Sequence, residues 1–121
     1  MQSELWDLVY GALWWERKDA SPTACLNRLT NERLSGSKLA LDPTTAEVRE
    51  EWWQTNELSR LERKHNKVHD FDDDRPIVVV EFEGRLILVD GNHRVTRWLA
   101  SGHNVERQLL IVHPHGIARD S

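Results

Sequence analysis

The sequence predicts an α+β domain, and three observations carry that reading. Helical hydrophobic periodicity runs through the front of the chain. Two β-branched or apolar runs, residues 76–82 and 85–89, flank Glu83-Gly84 in the manner of a hairpin. A further helical pattern and a last apolar run follow. The order is helical front, hairpin, helix, strand, with the hairpin and the final strand expected in one sheet. At 121 residues the chain fits one domain and can bury a core without disulfide or metal staples.

Residues 4–17 read as a helix. Leu5, Leu8, Val9, Ala12 and Leu13 share one face, and Trp6, Tyr10 and Trp14 form a second apolar stripe at i, i+4, i+8. A helix apolar on two sides either lies deep in its own chain or meets a partner or a second copy through its aromatic anchors. Ser21-Pro22 starts the next helix, because serine caps a first turn and proline suits the first helical position. Cys25, Leu26 and Leu29 line its inner face and Gly36 stops it, which makes Cys25 a small core residue rather than a nucleophile.

Residues 38–41 alternate as a short strand that Asp42-Pro43 ends. Thr44 or Thr45 then caps a long helix reaching about His65. Its apolar phase breaks near Gln54-Thr55-Asn56, where a kink or a second start is expected. Asp70 to Asp74 holds four aspartates among five residues, a solvated loop or, alternatively, a Mg²⁺ site. After the hairpin, residues 93–101 read as a helix with Val95, Trp98 and Leu99 inward and Gly102 as its stop. Residues 105–112 form the last strand and residues 113–121 a loose tail.

The net charge of −4 hides an asymmetry. Residues 1–74 carry 10 basic and 15 acidic groups; residues 75–121 carry 6 and 5, with four of the six histidines. The acidic front argues against a general nucleic-acid surface, which needs a basic stripe. It leaves room for one anion site in the second half. The lone cysteine excludes a disulfide framework and a multi-cysteine zinc site. The first residues lack the basic and apolar regions of a signal peptide, and no apolar run approaches the roughly 20 residues of a membrane span. A soluble cytoplasmic protein is expected.

Chemistry concentrates in Leu88-Val89-Asp90-Gly91-Asn92-His93-Arg94. A glycine between strand and helix lets the backbone approach a ligand closely. The helix start supplies N–H groups and partial positive charge, which suit phosphate. His93 and Arg94 add donors, and arginine's planar fork fits phosphate oxygens. Asp90 can accept a ribose hydroxyl, bind Mg²⁺ or cap the helix. Without a ligand, the same spacing is met by an Asp90 or Asn92 cap and a solvated Arg94.

The stretch Arg75-Pro76-Ile77-Val78-Val79-Val80, then Gly84, then Leu88 to Arg94, and finally Leu99 to Gly102, resembles the ParB/sulfiredoxin-like superfamily over roughly residues 38–113. The resemblance implies a core with a small mixed sheet at residues 37–121, with residues 1–36 as an added helical segment packed on it. It also implies a site for the phosphates of ATP, ADP or CTP, with Gly91, Asn92, His93 and Arg94 as the cradle. Asp90 and His93 become the catalytic candidates, and Asp90 the Mg²⁺ ligand.

Activities in that superfamily include sulfinic-acid reduction, phosphoryl transfer to free serine, CTP-gated DNA clamping, suspected nucleases and a toxin that modifies host enzymes. Asn92 stands where sulfiredoxins place their cysteine, so that reaction has no thiol here. Too few residues follow Gly102 for the DNA-reading and dimerisation domains of partition proteins, so their centromere binding is not expected. The free-serine kinases need a base, typically a carboxylate, for which Asp42, Glu81, Glu83 and Asp90 are candidates, Asp90 the best because the loop would place it beside the phosphates.

The first expected function is therefore a nucleotide-dependent phosphotransferase or nucleotide hydrolase. The alternative is a non-catalytic regulatory or effector module of phage or mobile-element type, docking a protein partner or a second copy through Trp6, Tyr10 and Trp14. A DNA nuclease stands third and would need a basic face across Arg85, Arg94, Arg97 and Arg107. His113-Pro114-His115 could chelate a metal, though such a pair in a tail is more often incidental, and His65 with His69 could share one if helical but has no third ligand.

Overall fold

The computed structural model describes residues 3–13, 21–34, 45–63 and 75–114. Two helices, α1 (Ser3–Leu13) and α2 (Pro22–Asn31), lead into strand β1 (Glu47–Gln54) and a short 3₁₀ helix (Thr55–Arg60). The hairpin β2 (Ile77–Phe82) and β3 (Arg85–Asp90), helix α3 (Asn92–Ser101) and strand β4 (Glu106–His113) complete the order. The protein is thus α+β with one mixed four-stranded sheet, ordered β1-β4-β2-β3. β4 pairs antiparallel with β1 and parallel with β2, and β2 pairs antiparallel with β3.

Helices cover both faces of the sheet. On one face Val48, Val78, Val80, Leu110 and Val112 pack with Val9, Leu13, Cys25 and Leu26 of α1 and α2. On the other, Ile77, Val79, Leu88, Leu109 and Ile111 pack with Leu58, Leu61, Val95 and Trp98. This explains the unbroken apolar runs of β2 and β4: their side chains alternate between two dry layers, so neither register needs a polar position. Arg107 closes the second layer by lying 4.2 Å over the Trp98 ring.

The largest difference from the sequence reading is at residues 47–54. A long helix is expected there; a strand is found. Val48 and Trp52 sit at helical spacing, and Glu and Arg favour helix. The deciding factor lies at the far end of the chain. β4 exposes a ladder edge that β1 fills over eight residue pairs, from Glu47 opposite His113 to Gln54 opposite Glu106. Polar pairs then hold the outer residues: across strands Gln108 donates to Glu50 and Arg49 to Glu81, and within β1 Arg49 also donates to Glu51. The expected second start near Gln54 does occur, as the 3₁₀ helix. The Gln54 N–H donates to Glu57, and the buried Thr55 exchanges hydrogen bonds with the Val105 backbone.

The front of the chain is corrected in detail. α1 buries Trp6, Val9, Ala12 and Leu13 and turns Leu8 outward, 42% exposed. Trp6, expected on a separate stripe, is in the core with Tyr10 tilted against it at 5.6 Å between ring centres. α2 begins as expected, with the Ser21 hydroxyl accepting from the Ala24 N–H, and Cys25 is buried. The expected strand at residues 38–41, the Gly36 stop, Trp14 and the Asp70–Asp74 run lie outside the described residues. Among the described residues, no helix is long and apolar enough to cross a membrane.

Candidate functional site

β3 does not run straight into its loop. Val78 pairs with Asp90 but Val79 with Leu88, so the ladder skips Val89. Such a bulge bends a strand and re-aims the residues that follow. Gly91 comes next, at φ +106°, a conformation L side chains rarely adopt. A Cβ at Gly91 would lie 2.5 Å from Ile77 Cγ2, inside the buried wall of β2. Glycine is required on both counts.

α3 starts at once. The Gly91 carbonyl accepts from Val95 N–H at 2.9 Å, and the Asn92 carbonyl accepts from the Thr96 hydroxyl at 2.8 Å. Asn92 Nδ2 reaches back to the Leu88 carbonyl at 3.4 Å, a weak contact. The sequence therefore places a left-handed glycine, a ten-residue helix and the helix dipole at the end of β3.

The side chains of this loop divide sharply. His93 is exposed, while Gly91 and Asn92 are half-buried. Asp90 and Arg94 are interior, with side chains 2% and 4% exposed, and form an ion pair at 2.8 Å between Asp90 Oδ2 and Arg94 Nη2. Arg94 Nη1 donates to the carbonyls of Arg75 and Pro76 at 2.7 and 2.9 Å. One guanidinium thus ties the start of β2 to the end of β3, a task that suits its rigid fork. In this arrangement Arg94 faces Asp90 and the β2 backbone, and the Asp90 carboxylate is directed at Arg94. Breaking such a buried pair by deleting one partner costs about 3–5 kcal/mol.

The five residues singled out in sequence, Asp90 to Arg94, do come together, but in two layers: His93 outside, Asp90 and Arg94 inside. Arg75, Pro76 and Ile77 are the contributors that sequence reading missed. They act through backbone carbonyls and a methyl wall, which no motif encodes. The proline next to the β-branched run marks the strand start but not its role as an acceptor.

The other carboxylates lie elsewhere. Glu81 is at the far end of β2 and Glu83 in the hairpin turn. Arg49, hydrogen-bonded to Glu81, holds that carboxyl below the usual carboxylate range, with a smaller contribution from His113. Arg49 likewise lowers Glu51, helped by the Trp53 indole N–H. Beside β3, Arg85 makes a two-bond pair with Glu62 and lowers that carboxyl too. Of the four arginines that a basic face would need, Arg85 is paired, Arg94 is buried, and Arg107 stacks on Trp98 and donates to Thr55.

Among the described residues no group of three or more His, Cys, Asp or Glu could hold a metal ion. Asp42, His65, His69 and His115 fall outside those residues. No protein-family model matches the chain, and no curated protein or solved structure matches it at a significant level.

Proposed function

We propose that the turn from β3 into α3 binds the phosphates of a nucleotide, with the α3 N-terminus and the exposed His93 facing the ligand. The observation that carries this reading is Gly91 itself. It is left-handed, tightly packed against Ile77, and leads directly into a helix whose N-cap residue has no side chain. Glycine lets the loop sit against that wall, and the α3 start just beyond it offers an anion backbone N–H groups that the helix dipole favours for negative charge. The resemblance of residues 75–102 to the ParB/sulfiredoxin-like superfamily supports the same ligand class.

The geometry favours binding over catalysis. A base or Mg²⁺ ligand must reach its substrate, and the Asp90 carboxylate is closed against Arg94. Arg94 supports the loop from beneath. The aromatic docking alternative loses Trp6, which is core.

Thermal-shift measurements with ATP, ADP, CTP, GTP and AMP, with and without Mg²⁺, test the reading. A ligand that binds only the folded chain stabilises it by about 2.7 kcal/mol at a hundredfold excess over Kd. At least one nucleotide should raise Tm, and His93→Ala should reduce the shift. No shift with any nucleotide, or equal shifts for parent and variant, would count against it. Assaying phosphate release in the same samples separates a binder from an enzyme.

A further inference from the structure

We infer that the buried Asp90–Arg94 pair is a positioning device: it sets the turn through Gly91, and Arg94 acts on a ligand through that turn rather than by touching it. The ligand half of this inference rests on the phosphate reading above; the conformational half does not.

Three observations lead here. The Arg94 guanidinium engages three acceptors from two segments, the carbonyls of Arg75 and Pro76 and the carboxylate of Asp90. It also forms part of the floor under the turn. A Cβ at Gly91 would point at Ile77 Cγ2 and lie 3.4 Å from Arg94 Cζ. Finally, the ladder slips at Val89 and resumes with Val78 opposite Asp90, so the last β2–β3 pair before Gly91 includes the ion-paired residue itself. Arg94 thus ties that last ladder residue to the backbone at the start of β2, directly before the turn.

The energetics fit. A buried ion pair adds little stability over well-packed apolar residues of similar volume, while it fixes geometry through directed bonds. Lysine could keep the charge but could not span the carbonyls and the carboxylate with a planar fork. Replacing the pair with apolar residues should therefore retain the fold and release the turn. A purely stabilising pair would behave differently.

The test compares the parent with Arg94→Lys and with the double variant Asp90→Leu/Arg94→Met by ¹⁵N-resolved NMR. ADP titration is the binding readout. In the double variant, amide resonances of the sheet should stay in place. Those of Gly91, Asn92 and His93 should move and exchange at least roughly tenfold faster, with ADP affinity down by a similar factor. Arg94→Lys should fall between parent and double variant, and it supplies the same readout if the double variant does not fold. In the parent, ADP should shift the Gly91–His93 amides and leave the Arg94 guanidinium resonances in place.

Turn amides that coincide in parent and variants would overturn the inference. So would Arg94 guanidinium resonances that move with ADP, since that marks direct contact. If the parent binds neither ADP nor any other nucleotide, the phosphate reading fails, and the turn amides of the variants still decide the positioning role.

Discussion

The two best-defined helix starts in this protein solve one problem in opposite ways. α2 is closed by its own N-cap residue: Ser21 is extended and its hydroxyl accepts from Ala24 N–H at 3.1 Å. α3 has Gly91 in that position, left-handed and with no side chain to offer. The first start is self-sufficient and local. The second depends on Ile77 from β2, on the carbonyls of Arg75 and Pro76, and on a buried ion pair. Where a first turn needs only to be stable, a serine suffices. A helix start assembled from two chain segments around a glycine depends on packing that no local cap supplies, and it leaves the cap position without a side chain, the kind of terminus the phosphate proposal requires.

The comparison can be broken by substitution. Arg94→Ala should be the most damaging change, because it leaves Asp90 buried without its cation and two carbonyls without their donor. A loss of about 3–5 kcal/mol is expected, measured by urea denaturation. Gly91→Ala should follow. Left-handed strain of about 1–2 kcal/mol adds to an overpacking cost of about 1–3 kcal/mol against Ile77. The same denaturation series should rank it below Arg94→Ala, and nucleotide-induced stabilisation should be lost.

Ser21→Ala should cost only about 1 kcal/mol, the worth of one cap, and leave nucleotide affinity at the parent value. An affinity change in that variant would show that the two helix starts are coupled.

A smaller effect concerns the exposed counterpart of the buried pair. Arg49 lowers the Glu81 carboxyl in the folded protein. The stabilisation it brings is therefore complete above the unfolded glutamate value of about 4.3 and is lost as pH falls through the lower folded value. Both side chains are partly exposed, at 43% and 30%, so the pair is worth a few tenths of a kcal/mol, up to about 1. Arg49→Ala should destabilise by that amount at pH 7, and the gap should shrink below about pH 4. A gap independent of pH would assign the effect to packing instead.

Much of the second half was legible before any coordinates. Glu83-Gly84 between two β-branched runs is a local signal for a hairpin. Gly91 and Gly102 bracket a helix whose spacing points Val95, Trp98 and Leu99 inward; Val95 and Trp98 are buried and Leu99 is half-buried. Ser21-Pro22 located α2 in the same way. The failures share a cause. Residues 47–54 carry helical spacing, yet they are a strand because β4, more than fifty residues later, offers them an edge. Leu8 and Trp6 exchange roles because the surface beneath α1 decides which stripe is buried. A solvated Arg94, one of the readings its spacing allows, gives way to a buried one bonded to Asp90 and to the carbonyls of Arg75 and Pro76.

Local chemistry sets where the backbone turns, because the residues at those turns act on their own dihedral angles or on neighbours three or four positions away. Long-range packing makes residues 47–54 a strand and turns Arg94 inward. Both outcomes depend on groups distant in the chain, whose desolvation and hydrogen bonding outweigh the weak local preference of any one residue.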